Sequence, residues 1–425
     1  MTITRFFFII LLLLCITGLC IASGTATESK GLLSGEILKI DLEAFVADVP
    51  DTPAYIAEKE KALEANPQDT QSWVDIGKAQ MKSENWRAAE ESFVRALDQD
   101  QRNTDAREGY FLVLRKTERY EFLLSEAERA IGIDPDNADA WRNKGVGLHD
   151  LGRYEEAIEA YDQALNIDPE YSYAWNNQGV ALYALSRYEE AIAAYDHALK
   201  IDPEYVNAWN NKGVALDAIG RYEEAIDVYD QALKIDPDNA DAWNKRGNAL
   251  WYLGQYEEAL VAYDQALNID PDFKKAWYNR GNALWYLGRY EEAIAAYDQP
   301  LKIDPDFFNA WIGKGVALYA LGRYEEAIDA YDEALNIDPE YVNAWNNKGF
   351  ALDDLGRYEE AIAAYDQTLK IDPDNTDAWI GKGVALYALG HYEEAIDAYD
   401  QALKIDPDYK LAKDNREEVL KKLNQ

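Results

Sequence analysis

Apolar residues recur three and four positions apart along most of the chain, which is the period of an amphipathic α-helix. Residues 206–239 show this pattern twice. The apolar face of the first segment carries Ala208, Trp209, Leu216 and Ile219. The apolar face of the second carries Tyr222, Ala225, Ile226, Tyr229, Ala232 and Leu233. Gly220 follows the first segment, where a left-handed cap favours glycine, and Pro237 ends the second. The pattern predicts two helices joined by a tight turn.

This helical pair recurs at a fixed interval of 34 residues. Tryptophan marks the interval at Trp141, Trp175, Trp209, Trp243, Trp277, Trp311, Trp345 and Trp379. With this tryptophan numbered as repeat position 4, position 8 is glycine, position 20 alanine, position 24 tyrosine and position 32 proline in all eight units. Small residues at positions 8 and 20 let the two helices approach closely, and aromatic residues fill the space around them. One pair cannot bury its own apolar faces, so a stack of pairs is predicted.

These residue types at these offsets resemble the tetratricopeptide repeat family, whose 34-residue unit is a helix–turn–helix. The resemblance implies an all-α fold, a right-handed superhelical solenoid of about ten repeats. The units are residues 70–103, the divergent 104–137, then 138–171, 172–205, 206–239, 240–273, 274–307, 308–341, 342–375 and 376–409. Residues 53–69 are predicted to form a degenerate half-repeat. Residues 410–425 are predicted to form a C-terminal capping helix, which the end of a solenoid requires.

Two departures from the repeat predict local distortion. The unit 104–137 carries Phe111 at position 8 and Leu123 at position 20, where other units have small residues. Bulk at this contact is expected to splay the two helices and create a hinge. Pro300 lies at position 27, inside a second helix, where it removes a hydrogen bond and is expected to kink the helix.

The amino-terminal segment has a different composition. After Arg5, residues 6–22 carry no charge and are mostly apolar, and small residues follow, which is typical of a signal peptide. We expect residues 1–23 to be a cleaved signal peptide or an N-terminal membrane anchor, and residues 24–52 a linker. Either alternative makes the protein extracytoplasmic, secreted or tethered to the membrane. Both cysteines, Cys15 and Cys20, lie in this segment, so the predicted body has no thiol chemistry.

Composition narrows the function. The chain of 425 residues has 79 acidic and 42 basic residues, a formal net charge of −37. This charge argues against nucleic acid, which needs a basic face, and against anionic lipid, so membrane contact is expected only through the amino-terminal segment. His149, His197 and His391 lie far apart and form no catalytic arrangement. We predict a protein that is not an enzyme and has no cofactor or metal. The acidic turn 134–139 resembles the start of a calcium loop but lacks the glycine and later glutamate of an EF-hand.

The family resemblance implies a concave groove lined by the first helices, through repeat positions 2, 5, 6, 9, 12 and 13. Positions 5 and 6 carry a row of asparagines, namely Asn143, Asn176, Asn177, Asn210, Asn211, Asn244, Asn279, Asn346 and Asn347. A carboxamide both donates and accepts hydrogen bonds, so the row is expected to bind the backbone of an extended partner. It is similar to the asparagine-lined superhelix of the O-linked glucosaminyltransferases. The alternative is that these asparagines are only exposed residues at helix starts.

Two adjacent units break the pattern with an aromatic cluster. Position 12 holds Trp251 and Trp285, beside Tyr252 and Tyr286 at position 13, and Tyr278 lies at position 5. Asn248 and Asn282 occupy position 9, where most units have valine. Such aromatic residues either anchor a partner side chain or stack between neighbouring first helices. The predicted peptide-binding set is Asn210, Asn211, Asn244, Asn248, Trp251, Tyr252, Tyr278, Asn279, Asn282, Trp285 and Tyr286.

The known clamp of this family for acidic chaperone tails needs basic groove residues. Here position 5 is Asn244, and the third unit offers Asn309 and Gly313. We therefore predict no such clamp, and neutral or basic protein or peptide segments as partners. The predicted function is a non-enzymatic scaffold for protein–protein interaction. The alternatives are an accessory domain of an extracytoplasmic enzyme, such as a transferase or protease, and a passive cell-surface spacer.

Overall fold

The computed structural model describes residue 42, residues 45–50 and residues 52–424. Within these residues the structure has 22 α-helices and no strand, which confirms the predicted all-α class. The helices are α1 (Pro53–Ala65), α2 (Thr70–Lys82), α3 (Trp86–Gln99), α4 (Thr104–Lys116), α5 (Tyr120–Ile133), α6 (Ala138–Asp150), α7 (Tyr154–Ile167), α8 (Ser172–Ala184), α9 (Tyr188–Ile201), α10 (Val206–Ala218), α11 (Tyr222–Ile235), α12 (Ala240–Tyr252), α13 (Tyr256–Ile269), α14 (Lys274–Tyr286), α15 (Tyr290–Ile303), α16 (Phe308–Ala320), α17 (Tyr324–Ile337), α18 (Val342–Asp354), α19 (Tyr358–Ile371), α20 (Thr376–Ala388), α21 (Tyr392–Ile405) and α22 (Lys410–Leu423). The predicted signal or anchor segment, residues 1–23, lies outside the described residues.

From α2 to α21 the helices pair as hairpins, with an even-numbered first helix and an odd-numbered second helix. The turn between them needs a left-handed residue, and Gly220 supplies it with φ of +76°. The second helix α11 then begins with Glu223 and Glu224, whose carboxylates lie at the positive end of the helix dipole. Local sequence thus defines both the turn and the start of each second helix.

A tyrosine clasped by glycine forms the core of each regular hairpin. Tyr365 of α19 is fully buried, and a Cβ atom added to Gly349 of α18 would lie 2.5 Å from its ring. A Cβ atom added to Gly381, in the next first helix, would lie equally close, 2.5 Å from the ring carbon that carries the hydroxyl. Any side chain larger than hydrogen would collide with the ring at either glycine, because real Cβ atoms do not approach so closely.

Successive hairpins are joined by a recurring set of polar contacts. The Trp345 indole N–H donates to the Pro339 carbonyl of the preceding turn at 2.9 Å, and Trp379 does the same to Pro373 at 3.0 Å. The basic residue at position 7 reaches back to the acidic residue at position 25 of the preceding hairpin. This ion pair joins Lys212 to Asp196, Arg280 to Asp264, Lys314 to Asp298, Lys348 to Asp332 and Lys382 to Asp366. The lysine ammonium also lies over the position-4 tryptophan, 5.5 Å from the ring centroid for Lys382 and Trp379.

The two predicted distortions have different outcomes. Phe111 and Leu123 are buried, and α4 and α5 contact each other less extensively than the two helices of any other described hairpin. The bulk at positions 8 and 20 therefore does splay this pair. At Pro300, by contrast, α15 runs without interruption from Tyr290 to Ile303. The proline lies one turn before the helix end, where Asp304 N–H still closes the helix on the Pro300 carbonyl at 2.8 Å.

The described residues form two compact units, one ending at Pro237 and one beginning at Asp238. Each is built of the same hairpins. No helix among the described residues is both long enough and apolar enough to cross a membrane.

Candidate functional site

The asparagines of the first helices pair with one another between hairpins. Asn211 Nδ2, at position 6 of α10, donates to Asn176 Oδ1, at position 5 of the preceding first helix, at 3.0 Å. In the second compact unit, Asn279 Nδ2 donates in the same way to Asn244 Oδ1 at 3.0 Å. Most of these side chains are buried. The row is therefore partly an internal ladder, in which position 6 donates to position 5 of the hairpin before it.

The ladder is incomplete where one of its two positions lacks a suitable group. The Asn347 amide nitrogen has no acceptor, because Ile312 occupies position 5 of the preceding hairpin. The Asn346 amide oxygen has no donor, because Gly381 occupies position 6 of the following one. In the first compact unit, Asn177 Nδ2 and Asn210 Oδ1 also lack partners. A buried polar atom without a partner costs about 1–3 kcal/mol, so the gaps in the ladder reduce its contribution to stability.

The side-chain oxygens of Asn248 and Asn282 accept hydrogen bonds from the hydroxyl groups of buried tyrosines. The Tyr263 hydroxyl donates to Asn248 Oδ1 at 2.9 Å, and the Tyr297 hydroxyl donates to Asn282 Oδ1 at 2.8 Å. In the hairpin of α10 and α11, Asp217 at position 12 accepts the equivalent bond from Tyr229 at 2.7 Å. Where tryptophan takes position 12, asparagine at position 9 supplies the acceptor instead. The acceptor thus moves from position 12 to position 9 of the repeat. Both residue changes are visible in the sequence, but the sequence-based prediction does not connect them.

Four of the five predicted aromatic residues form one cluster. The Trp251 ring packs edge-on against Tyr252 and Tyr286, with centroid distances of 5.1 and 5.2 Å. Trp285 packs edge-on against Tyr286 at 5.3 Å. Tyr278 lies apart from them, against Tyr297 and Phe307. We call Trp251, Tyr252, Trp285 and Tyr286 the aromatic cluster.

The aromatic cluster combines one exposed ring with two buried donors. Tyr252 is 41 % exposed, whereas Trp251 and Trp285 are 9 % and 5 % exposed. The indole N–H groups of Trp251 and Trp285 have no acceptor. In contrast, the position-4 tryptophans Trp345 and Trp379 donate to a backbone carbonyl. The two position-12 indole N–H groups are thus enclosed without an acceptor, and the ring of Tyr252 is the most exposed part of the cluster.

The carboxyl group of Asp353, on the first helix α18, has a raised pKa. Burial, reinforced by the neighbouring Asp354, raises the pKa of Asp353 to about 7. Asp354 itself accepts a hydrogen bond from the Tyr319 hydroxyl at 2.6 Å. Asp353 lies at position 12 of α18, the position that Trp251 and Trp285 hold in their hairpins. The charge of the Asp353 side chain on α18 is therefore expected to change close to neutral pH.

The acidic turns between hairpins are built as turns and helix caps. Asp134 Oδ1 accepts from the Asp136 N–H at 3.3 Å, and Asn137 Oδ1 accepts from the Ala140 N–H at 2.9 Å. Across the part of the chain that the structure describes, no group of three or more histidine, cysteine or acidic side chains is arranged to hold a metal ion. Of the side chains that resemble a calcium loop in sequence, Asp134 therefore closes the turn and Asn137 caps the start of α6.

The contact between a buried tyrosine and a glycine recurs within the hairpins, and the same tryptophan hydrogen bond recurs between them. This recurrence defines a helical-repeat protein. The sequence matches the tetratricopeptide repeat family over residues 74–121, 124–172, 148–206, 176–240, 244–306, 280–342 and 346–410. These ranges cover well over half of the chain. The protein belongs to the tetratricopeptide repeat family.

Solved structures of other repeat proteins resemble parts of the chain. One is YrrB, described as a tetratricopeptide repeat protein with an unusual peptide-binding site, which is 24 % identical and covers 44 % of this chain and 97 % of its own, with a TM-score of 0.41. A tetratricopeptide repeat protein from Parabacteroides merdae is 18 % identical and covers 59 % of this chain and 98 % of its own, with a TM-score of 0.44. MamA is 22 % identical over 38 % of this chain and 94 % of its own, with a TM-score of 0.36. The comparison with curated proteins found no match.

Family membership supports a protein-interaction scaffold that binds peptide or protein partners. Proteins built from these repeats are generally not catalytic.

Proposed function

We propose that the protein binds partner polypeptide segments on the surface of its first helices, with the aromatic cluster as the main contact. The observation that carries this proposal is the ring of Tyr252, which is 41 % exposed and packs edge-on against the buried Trp251 at 5.1 Å. The indole N–H groups of Trp251 and Trp285 have no acceptor but are enclosed, so a partner carbonyl would reach them only through a rearrangement of the cluster. The exposed ring of Tyr252 would meet the partner first and give the contact its apolar area.

Several of the predicted asparagines lie on the same helices as the aromatic cluster. Asn244, Asn248, Asn279 and Asn282 lie on α12 and α14, and Tyr278 lies on α14. Asn210 and Asn211 lie on α10 of the first compact unit. A carboxamide can donate to and accept from a partner backbone. Recognition through backbone groups would tolerate many partner sequences, and the aromatic cluster would select among them.

The partner segment is proposed to be neutral or basic. The chain carries a net charge of −37, which would repel an acidic segment. At the positions where chaperone-tail clamps have basic residues, this chain has Asn244, Asn309 and Gly313. Complementary charge would raise the association rate, and that advantage would fall with ionic strength.

The protein is proposed to act outside the cytoplasm, exported or tethered by residues 1–23. The support is the uncharged, mostly apolar run of residues 6–22 behind Arg5. Fractionation of cells that express the tagged full chain, followed by protease treatment of intact cells, tests this. A tag at the carboxyl terminus that stays protected and soluble in the cytoplasmic fraction would contradict the proposal.

Crosslinking capture from cell extracts tests the binding surface. The full chain is compared with Trp251→Phe plus Trp285→Phe, which removes both indole N–H groups but keeps an aromatic ring at each position. A second variant, Tyr252→Ala, removes the exposed ring. The matched control is Val261→Ser, because Val261 is 60 % exposed on α13, the second helix of the same hairpin.

We expect the tryptophan variant to lose at least tenfold of its capture of a specific partner, Tyr252→Ala to lose a similar amount, and Val261→Ser to bind as the wild type does. Equal capture by all four proteins would show that the aromatic cluster is not the site. If no specific partner is captured at several salt concentrations, the passive spacer becomes the better account of this chain.

A further inference from the structure

In the first compact unit, a segment that precedes α1 in the same chain packs against α2, the first helix of the first hairpin. Phe45 and Val46 have helical backbone, and a turn follows in which the Val49 N–H donates to the Val46 carbonyl at 3.4 Å. Val46 and Val49 are buried in the same core cluster as Val74 and Met81 of α2. We call residues 45–50 the docking segment.

Two lysines of α2 hold the docking segment. Lys82 Nζ donates to the Val49 carbonyl at 2.9 Å and lies 3.5 Å from the Val46 carbonyl, so it caps the end of the turn. Lys78 Nζ lies 3.6 Å from Asp48 Oδ1 and 4.5 Å from the centroid of the Phe45 ring. The Lys78 side chain is nine-tenths buried. These contacts combine apolar burial with charge-assisted hydrogen bonds.

The two lysines that hold the docking segment occupy repeat positions that line the proposed binding surface elsewhere. Lys78 and Lys82 are positions 9 and 13 of their hairpin. In α12 and α14 the same two positions carry asparagine and tyrosine. Lys78 is also 3.5 Å from Asp105 of α4, the next first helix. The docking segment therefore lies where a partner segment would lie in a later hairpin.

We infer that the docking segment is an internal ligand, and that a partner segment of the same chemistry reaches α2 only by displacing it. That chemistry is two apolar side chains spaced as Val46 and Val49 are, a carboxylate for Lys78 and free backbone carbonyls for Lys82. The docking segment is joined to α1 through residues 51 and 52, so its effective concentration is on the order of millimolar. Only a tighter or bivalent partner competes with it. The inference extends the proposed function to α2, but the internal ligand itself does not depend on that function.

Release of the docking segment tests the inference. The full chain with Val46→Asp and Val49→Asp is compared with the wild type for binding of a fluorescent peptide with the sequence of residues 42–50, LEAFVADVP. Binding is measured by fluorescence anisotropy. The control peptide carries the same two aspartates, and the control protein is the released variant with Lys82→Met added.

We expect the released variant to bind the peptide at least tenfold more tightly than the wild type does, and Lys82→Met to weaken that binding about tenfold. The control peptide should not bind. Equal binding by both proteins, or no binding to a released variant whose helical circular dichroism is unchanged, overturns the inference. If the aspartates disturb the helices, Phe45→Ala plus Val49→Ala takes their place and is expected to show the same order of affinities.

The peptide assay and the capture assay fail independently. Peptide binding that follows this order while partner capture ignores the aromatic cluster would refute the proposed function and keep the internal ligand. Normal capture through Trp251 and Trp285 with no peptide binding to the released variants would do the opposite.

Discussion

Replacing Gly349 with alanine should reveal how tightly the repeat core is closed. The added Cβ would lie 2.5 Å from the Tyr365 ring, which is fully buried. The ring has little room to move, because the backbone of Gly381 in the next first helix also packs closely against it: a Cβ atom added there would lie 2.5 Å from the ring. Either the ring or α18 must therefore shift.

The magnitude follows from two opposing effects. Alanine in a helix is favoured over glycine by roughly 1 kcal/mol. Overpacking of a closed core costs about 1–3 kcal/mol. Gly132 in α5 supplies the matched control, because a Cβ added there meets nothing within 4 Å. We expect Gly132→Ala to leave stability unchanged or slightly higher, and Gly349→Ala to be about 1–3 kcal/mol less stable than this control.

Native-state hydrogen exchange is the suitable assay, because a long array of repeats does not unfold in one step. Protection of amides in α18 and α19 is measured in Gly349→Ala, and protection in α4 and α5 is measured in Gly132→Ala. A Tyr365→Leu background removes the ring and should abolish most of the extra cost of Gly349→Ala. If Gly349→Ala is stabilised as much as Gly132→Ala, the clasped ring does not close the core and the packing argument is wrong.

Three further predictions concern single side chains. Pro300→Ala should raise the stability of α15, by at most about 3 kcal/mol, because the helix gains a hydrogen-bond donor; weaker protection of the α15 amides in native-state hydrogen exchange would contradict this. The pKa of Asp353 is raised in the folded state from 3.8 to about 7, so the folded state keeps a proton that the unfolded state releases. Stability should therefore fall as pH rises from about 4 to 7, and Asp353→Asn should remove that part of the dependence in denaturation measured across this range. Asp196→Asn breaks the pair with Lys212 at 2.6 Å and should cost less than about 1 kcal/mol, with no cost left in 1 M salt if the contact is electrostatic.

The hairpins were predictable from sequence because their determinants are local and repeated. Gly220 marks a turn, Pro237 ends a helix, and the 34-residue interval shows that both recur. The splay of α4 and α5 was predictable from the same comparison of repeat positions, because Phe111 and Leu123 occupy positions 8 and 20, where the regular units have glycine and alanine. The kink at Pro300 stays a prediction; the proline lies close to the end of α15 and does not end the helix, which continues to Ile303.

The candidate site was less predictable, because it depends on which groups face each other across two hairpins. The asparagines at repeat positions 5 and 6, such as Asn176 and Asn211, were visible in the sequence as a row of amides, but the sequence did not show that they bond to each other. The pairing of Asn248 with the Tyr263 hydroxyl requires comparison of positions 9, 12 and 24 together. The sequence predicts residues 45–50 as part of a linker, because no repeated pattern indicates that they pack on α2. That packing depends on contacts with Lys78 and Lys82, which are far from residues 45–50 in the sequence.

The junction between hairpins also bears on how such a chain can change in length. Lys212 meets Asp196 across one junction and Lys382 meets Asp366 across another, and the position-4 tryptophan repeats its own bond to the preceding turn. A hairpin inserted or deleted as a whole 34-residue block would meet the same partners on both sides. Arrays of different length are then compatible with one set of contacts, so the number of hairpins is free to vary without redesign of the core. The pair α4 and α5, with Phe111 in place of the small residue, does not share this interchangeability.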